Sequence, residues 1–175
     1  NTANYNTAIG YGSLTTAQTA SGSVAIGMDA GGTITTGNRN IAIGFDALNG
    51  AATTGDNNVA IGVSAGDALT SGKNNVAIGL QAFTRGAAAS EIIAIGNNAA
   101  GQDTVTATAD GAVAIGSFAL GDLTSGTENV AVGYHSGKGI TTGDRNVYMG
   151  YQAAVNGTDA SYNTIIGYQA GQTNV

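Results

Sequence analysis

The feature that most constrains this chain is a ten-residue phrase, NNVAIGVSAG from Asn57 to Gly66, which recurs in close copies along the whole sequence. Each copy is indexed here on the glycine that ends its AIG phrase, called the reference glycine. Successive reference glycines stand about 17 residues apart, a fixed period that predicts a repeat architecture, because neighbouring copies bury one another. Two gaps are longer, a slightly longer one at NGAATTG and the longest at GQDTVTATADG. The reference glycines are Gly10, Gly27, Gly44, Gly62, Gly79, Gly96, Gly116, Gly133, Gly150 and Gly167. Residues 1–175 are therefore predicted to form a single repeat domain.

Each copy contains one clear strand signal just before its reference glycine. Val, Ile or Thr stands three residues before the glycine in every copy. Ala stands two before it in eight of the ten copies, and Ile stands one before it in eight. This alternation with period two indicates a strand and not a helix. Glycine-containing Thr-Thr-Gly or Thr-Ser-Gly stretches between the phrases suit turns. A period of about 17 residues favours an all-β, parallel β-solenoid of ten coils, each with two short strands and two turns.

Equivalent residues of successive coils of a solenoid stack about 4.8 Å apart, so each repeat position predicts a column along the rod. The β-branched positions of the strands are predicted to form the internal core. The members of this core ladder are Val59, Ile61, Val76, Ile78, Val113, Ile115, Val130 and Val132.

A second predicted column consists of asparagines four residues before the reference glycine. Their side chains either bond to one another and to the turn backbone, or simply fit the local turn of each coil. The members of this Asn ladder are Asn40, Asn58, Asn75, Asn129, Asn146 and Asn163.

The alanine two residues before the reference glycine lies on the opposite strand face from Val and Ile. A face left to solvent would vary among Ser, Thr, Lys and Glu between copies, whereas this one stays Ala. We therefore predict that it contacts another chain, with burial of both faces inside one chain as the alternative. The candidate interchain face consists of Ala42, Ala60, Ala77, Ala94, Ala114 and Ala131.

Composition excludes several partners. The chain carries five Lys and Arg against eleven Asp and Glu, a net charge of −6, so nucleic acid is not an expected partner. No apolar stretch approaches the roughly 20 residues of a membrane span, so no transmembrane segment is predicted. The chain begins NTANYN, without an initiator Met or a signal peptide, which favours a mature chain or an excised fragment.

The NVAIGxxAG repeats with their TTG spacers resemble the head repeats of YadA-like trimeric autotransporter adhesins. They are similar also to the repeats of the same length in bacterial and phage tail-fibre proteins. The resemblance covers all ten copies and implies a left-handed β-roll in a homotrimeric, extracellular rod that mediates attachment. In two respects the chain departs from the adhesins: their repeat is usually shorter, and stalk, membrane-anchor and chaperone segments are missing here. The resemblance therefore identifies the chain as a piece of a longer fibre protein.

No enzyme, cofactor or metal site is expected. His135 is the single histidine, the chain has no Cys, and no glycine loop is followed by the Lys-Ser/Thr of a phosphate site. Asp29 and Asp46 share one repeat position, and stacked carboxylates repel unless solvent or a cation screens them. Exposed, screened carboxylates are the preferred interpretation, and a bound Ca²⁺ is the alternative.

Two features are candidate surface contacts. Tyr134, Tyr151 and Tyr168 follow the reference glycine in the last three copies, where a stacked column either presents a flat carbohydrate-binding strip or packs at the rod edge. The longest spacing between reference glycines lies at GQDTVTATADG, and a loop there, including Asp103 and Thr104, either makes a contact or is a tolerated insertion.

The predicted function is the structural or adhesive rod or head of an extracellular trimeric fibre on a bacterial cell or a virion. Its partners are further copies of itself and a host-surface receptor, glycan or matrix protein. One alternative is an ice-binding solenoid that uses a Thr column, with members Thr35, Thr53, Thr70, Thr124, Thr141 and Thr158. A purely structural filament subunit is the other alternative.

Overall fold

The computed structural model describes residues 2–101, 105–106, 109–157 and 159–172, so Asp103, Thr104 and Thr158 lie outside the described residues. Ten three-residue strands form one parallel sheet in chain order, and each strand pairs with the next in register. The predicted parallel β-solenoid is confirmed, with ten strands bounding about nine complete turns. The strands are β1 Thr7–Ile9, β2 Val24–Ile26, β3 Ile41–Ile43, β4 Val59–Ile61, β5 Val76–Ile78, β6 Ile93–Ile95, β7 Val113–Ile115, β8 Val130–Val132, β9 Val147–Met149 and β10 Thr164–Ile166.

Each coil has one strand, and the prediction of two strands per coil is wrong. In the described residues the other side of the coil contributes one isolated parallel bridge, between Ile34 and Thr53. The rest of each coil bends through left-handed residues, such as Asn57 and Ser64 with φ of 61° and 52°, which interrupt a strand. These bends still bond from coil to coil, as where the Ser64 amide donates to the Phe45 carbonyl at 2.9 Å.

The two faces of the strand are the reverse of those predicted. The alanines assigned to an interchain face all lie inside the coil with no exposed surface: Ala42, Ala60, Ala77, Ala94, Ala114 and Ala131. An interior side chain cannot contact a second chain, so the interchain assignment is wrong. The alternative, burial of both faces within one chain, holds for the Ala face and not for the face with Val and Ile.

The core ladder assignment is wrong for the same reason. Its side chains point out of the coil and are half-buried or exposed: Val59, Ile61, Val76, Ile78, Val113, Ile115, Val130 and Val132. Strand alternation requires that Val and Ile face one way and Ala the other. It does not state which way is inward, and the volume of the coil interior decides that.

In the coil of β4 the interior has room only for Ala beneath the strand, because large side chains from the bend occupy the remaining space. A Cβ built at Gly66 would lie 3.0 Å from Leu48 Cδ2, 3.2 Å from Leu69 Cδ1 and 3.3 Å from Ala60 Cβ. Leu48 and Leu69 come four and seven residues after their reference glycines and have no exposed surface. The bend side chains are therefore the true apolar core, and the strand alanines close it.

Large and small residues alternate between successive coils in this core. Four residues after the reference glycine, Leu14, Leu48 and Leu120 are each followed in the next coil by glycine, at Gly31, Gly66 and Gly137. The coils with glycine there carry a large residue three positions later, namely Ile34, Leu69 and Ile140, all fully buried. Each large side chain thus fills space that a small residue in the adjacent coil leaves open, which gives the close packing of a protein interior.

The reference glycine is required by both backbone conformation and stacking. Gly62 has a φ of +133°, a region that side chains rarely adopt, and a Cβ there would collide with the carbonyl oxygen of Gly79. The same relation holds along the rod, which explains why this position is glycine in every copy.

The asparagines predicted as a ladder lie in an internal hydrogen-bonded column. The Oδ1 of Asn58 accepts the backbone N–H of Asn75 at 3.0 Å, and its Nδ2 donates to the Gly72 carbonyl at 2.9 Å. Each of these side chains except that of Asn163, in the last coil, pairs two backbone groups of the next coil, which explains why an amide stands here. Asn40, Asn58, Asn75, Asn129 and Asn146 are fully buried, and Asn163 is half-buried.

A second polar column, which sequence reasoning missed, lies six residues before the reference glycine. Its side chains bond to the preceding coil, whereas the asparagines bond to the next coil. Here a side-chain oxygen accepts the backbone N–H of the preceding coil: Asp56 Oδ1 from Asn38 at 2.7 Å, and Asp144 Oδ1 from Thr127 at 2.7 Å. The accepting residue is Asn, Asp or Ser, and Lys73 and Thr127 stand at this position in two other coils, so no single residue type marks the column in the sequence. The side of the rod that carries this column is called the polar edge. Its further acceptors include Ser21, Asn38, Ser90, Asp110 and Ser161.

Candidate functional site

One side of the rod carries a mainly apolar surface, called the outer face, in which Asn97 and Ser117 interrupt one column. It consists of the two outward side chains of each strand and the residue after the reference glycine. Of the sixteen exposed large apolar residues in the described part of the chain, fourteen lie on this face. They are Ile9, Tyr11, Ile26, Met28, Phe45, Val63, Leu80, Ile93, Ile115, Tyr134, Met149, Tyr151, Ile166 and Tyr168. A soluble monomer rarely exposes such a patch, so the outer face is the leading candidate for an interaction surface.

The size of the outer face supports that assignment. Its three columns cover four residue steps along the strand, which runs across the rod, and nine spacings from coil to coil along the rod. The product of these two lengths is a flat area of roughly 550 Å². One partner of a specific protein interface buries about 600–1,000 Å² of accessible surface, and a corrugated surface exceeds its flat projection. The outer face is therefore near the lower limit of what one partner buries in such an interface.

The tyrosine column on this face is stacked ring on ring. Tyr134 and Tyr151 have centroids 5.2 Å apart and ring planes 14° apart, and Tyr151 and Tyr168 repeat this at 5.2 Å and 11°. Because the rings cover one another's faces, the column presents ring edges outward. Sugar stacking requires ring faces, so the geometry favours packing over the flat carbohydrate strip.

His135 closes one end of this stack and is half-buried. Its ring lies parallel to Tyr134 at 4.0 Å and meets Phe118 edge-on at 5.0 Å. Burial lowers the pKa of His135, the positive charge of Lys138 lowers it further, and Asp122 acts in the opposite direction. Its Nε2 is buried with no hydrogen-bond partner in the described structure. The imidazole therefore acts as an aromatic end piece of the column.

The threonine column is engaged within the rod. Thr70 Oγ1 donates to the Ala87 carbonyl at 2.7 Å, Thr124 Oγ1 to the Thr141 carbonyl at 3.0 Å, and the fully buried Thr53 to Leu69 at 3.0 Å. Ice binding needs rows of hydroxyls free to order water. These hydroxyls instead join successive coils, so the geometry gives the ice-binding alternative no support.

The two stacked aspartates of the sequence interpretation sit on the bend beside the outer face. Asp46 accepts a hydrogen bond from the Asn49 amide at 3.0 Å. Among the described residues, His, Cys, Asp and Glu side chains do not gather in groups of three or more that could hold a metal ion. A Ca²⁺ site at Asp29 and Asp46 would therefore have to be completed by other ligands.

Carboxylates of the polar edge are held in their charged form by hydrogen bonds. The backbone N–H of Asn38 lowers the pKa of Asp56, and the backbone and hydroxyl groups of Thr127 lower that of Asp144. The hydroxyls of Thr142 and Thr141 do the same for the pKa of Asp159. These groups join coils in the manner of the polar column, so they are structural.

Within the described ranges, no helix is long and apolar enough to cross a membrane. Comparisons of the chain with protein-family models, with curated protein sequences and with solved structures return no match.

Proposed function

We propose that this chain is a rod or head segment of an extracellular homotrimeric fibre that mediates attachment to a host or surface. The observation that carries the proposal is the outer face, on which fourteen of the sixteen exposed large apolar residues of the described chain lie in three parallel columns. The occupant we propose for this face is a second and a third copy of the same chain.

Periodicity favours a copy of the chain over an unrelated partner. The side chains of the outer face recur at the strand spacing of about 4.8 Å along the rod. A parallel copy presents the same apolar side chains at the same interval, so contacts made at one level are repeated at every level. An unrelated globular surface has no such repeat and matches only a few levels.

Three columns suit a three-fold arrangement around an axis parallel to the rod. The middle column, with Ile61 and Ile78, faces the axis, and the flanking columns contact one neighbour each. Such head-to-tail contacts close into a ring of three and leave no unsatisfied copy of the face. The resemblance of the repeats to YadA-like adhesin heads and tail-fibre proteins supports the same number, an extracellular location and the left-handed coil.

Attachment would use the surfaces that the assembly leaves free. On the polar edge, five residues before the reference glycine, the side chain changes from coil to coil among Arg39, Asn57, Glu91 and Arg145. A scaffold with fixed interior columns and a variable exposed edge displays different contacts at regular intervals. Three copies of each weak contact bind by avidity to a receptor, glycan or matrix protein.

The test is the mass of the folded chain in solution by sedimentation equilibrium. We expect three times the 17.0 kDa of the single chain. The variant Ile43→Lys, Ile61→Lys, Ile78→Lys places charges in the middle column and is expected to dissociate the assembly. Its matched control, Thr36→Lys, Thr54→Lys, Ser71→Lys, adds the same charges at exposed positions of the same coils and is expected to remain trimeric.

A folded monomer at all concentrations would overturn the proposal. Larger, open-ended species would instead favour the structural filament. Equal dissociation of both Lys variants would show that charge, and not the outer face, controls assembly.

A further inference from the structure

A polar pocket of about 350 Å³ lies on the bend of the rod, across the coils that contain β4, β5 and β6. Six side chains from these three coils line it, and the backbone of Gly101 completes the described wall. The side chains are Ser64, Asp67, Gln81, Thr84, Arg85 and Asn98. This set is called the bend pocket.

The pocket exists because the repeat loses a side chain at this level. Asp67, Thr84 and Gly101 hold the same position, five residues after successive reference glycines. Glycine at the third of these positions leaves space that a side chain occupies in the preceding coils. Ser64, Gln81 and Asn98, two residues after their reference glycines, form the opposite wall with φ of 52°, 54° and 52°.

Most polar groups of the pocket are not engaged within the protein. In the part of the chain that the structure describes, the side chains of Ser64, Asp67, Gln81 and Arg85 form no hydrogen bond or ion pair, whereas Thr84 donates to the Gly101 carbonyl at 3.0 Å. A carboxylate, a guanidinium and an amide thus face a concavity without protein partners. Ser64 and Asp67 are half-buried, whereas Gln81 and Arg85 are exposed, and the Asn98 amide donates to Asn97 Oδ1 at 2.7 Å. The half-buried Asp67 carboxylate, which faces the concavity without a protein partner, is the group that points to a ligand.

Side chains at some of the same repeat positions elsewhere on the rod are engaged internally. The Asn49 amide bonds to the Asp46 carboxylate at 3.0 Å, and Gln169 bonds to Gln152 at 3.1 Å. Lys138 pairs with Asp122 at 3.5 Å. The open polar groups of the bend pocket differ in this respect from those three pairs.

The chemistry of the lining selects the ligand class. Asp67 only accepts hydrogen bonds, Arg85 only donates, and the amides and hydroxyls do both. One positive and one negative group make the wall neutral, which disfavours a phosphate beside Asp67 and a cation beside Arg85. The lining offers little apolar surface for a flat aromatic ligand. A neutral ligand with many hydroxyl groups, each able to donate and accept, matches this wall.

We propose that the bend pocket binds a neutral saccharide. The volume is at the small end of the range for ligand pockets and admits about one or two sugar units. Asp67 accepts from sugar hydroxyls, and Arg85 and Gln81 donate to sugar oxygens. The pocket lies in one chain, so binding does not need assembly, and only the gain from three displayed copies rests on the proposed function.

The test is ligand-observed saturation-transfer NMR with D-glucose, D-galactose, D-mannose, N-acetylglucosamine and their β-linked disaccharides as probes. Because the contacts are few and polar, we expect a Kd of about 1 mM or weaker for at least one probe. The double variant Arg85→Ala, Gln81→Ala is expected to weaken binding at least tenfold. Gln169→Ala, at the same repeat position outside the pocket, is the matched control and is expected to leave binding unchanged.

No transfer to any probe would overturn the inference, as would equal binding by the double variant. Competition by inorganic phosphate or Ca²⁺ at concentrations similar to those of the sugar would assign an ion site instead. The proposed function is tested separately: sugar binding by the dissociated Ile43→Lys, Ile61→Lys, Ile78→Lys variant would uphold the pocket whatever the assembly state. Loss of binding in that folded variant alone would place the site at a chain interface and overturn the single-chain inference.

Discussion

Asn75 donates two hydrogen bonds to the Oδ1 of Asn58, one from its backbone N–H and one from its side-chain amide, each at 3.0 Å. The Asn75 amide also donates to the Ala89 carbonyl at 2.9 Å, and its Oδ1 accepts the Ile92 N–H at 2.9 Å. One fully buried side chain thus joins three consecutive coils.

The first prediction concerns this junction. Asn75→Ala leaves the Ala89 carbonyl and the Ile92 N–H without their partner in the interior, so we expect a loss of about 3 kcal/mol of unfolding free energy. Urea denaturation monitored by circular dichroism measures it. Ser71→Ala, an exposed change in the same coil, should alter the free energy by less than about 0.5 kcal/mol. A loss for Asn75→Ala as small as that of the control would show that the column is not stabilising.

A second prediction concerns Tyr148, which occupies the alanine column and is 1% exposed. A Cβ at Gly137 would lie 2.7 Å from Tyr148 Cδ2, so Gly137→Ala should cost about 3 kcal/mol through overpacking and its left-handed φ of 58°. Tyr148→Ala restores the usual residue of the column and removes that contact. We therefore expect Gly137→Ala to cost less in the Tyr148→Ala variant than in the natural chain, with a coupling free energy of at least about 1 kcal/mol. The φ strain of Ala at position 137 is the same in both and cancels in this comparison. Additive effects of the two changes would contradict the packing described.

The third prediction is the response of the rod to acid. Hydrogen bonds from Thr127 and Asn38 lower the pKa values of Asp144 and Asp56 from 3.8. Groups with a lowered folded-state pKa stabilise the fold above the unfolded pKa, and that stability is lost as pH falls through the folded pKa. Asp56→Asn, Asp144→Asn keeps the acceptor oxygens, as Asn38 does in the same column, and removes the titration. We expect its melting temperature to fall less than that of the natural chain below about pH 4.

Glu91→Gln is the control for this experiment, because Glu91 is an exposed carboxyl outside the polar column. It should leave the acid response unchanged. An acid response of the double variant that equals that of the natural chain would show that the column carboxylates do not set it.

The fourth prediction has the opposite sign. Burial, with a further contribution from the negative charge of Asp46, raises the pKa of Asp67 above 3.8. A raised pKa favours the folded state below the unfolded pKa, and this advantage is lost as pH rises through the folded pKa. Asp67→Asn should therefore be more thermostable than the natural chain at pH 7 and equal to it near pH 3. A variant less stable at pH 7 would mean that the carboxylate has a partner in solution.

Much of the fold follows from the repeat itself. The spacing of the reference glycines and the Val-Ala-Ile alternation predict parallel strands in register, and the structure pairs Val59 with Val76 and Ala60 with Ala77. The asparagine column is also visible in the sequence, because an amide offers both a donor and an acceptor to the next coil. Local periodicity determines these features, and tertiary structure does not change them.

Which face of the strand is buried was decided only by the tertiary structure. Ala60 and Ile61 point to opposite sides of β4, and the alternation is the same whichever side is inward. The choice depends on Leu48 and Leu69, which enter the coil from its bends and leave room for a methyl group alone. The bend pocket arises in the same way, because it needs side chains from three coils, each one repeat apart in the chain, to stand around the space left at Gly101. A period read from the sequence shows which residues stack, whereas the closed volume of the coil determines which of them it can hold.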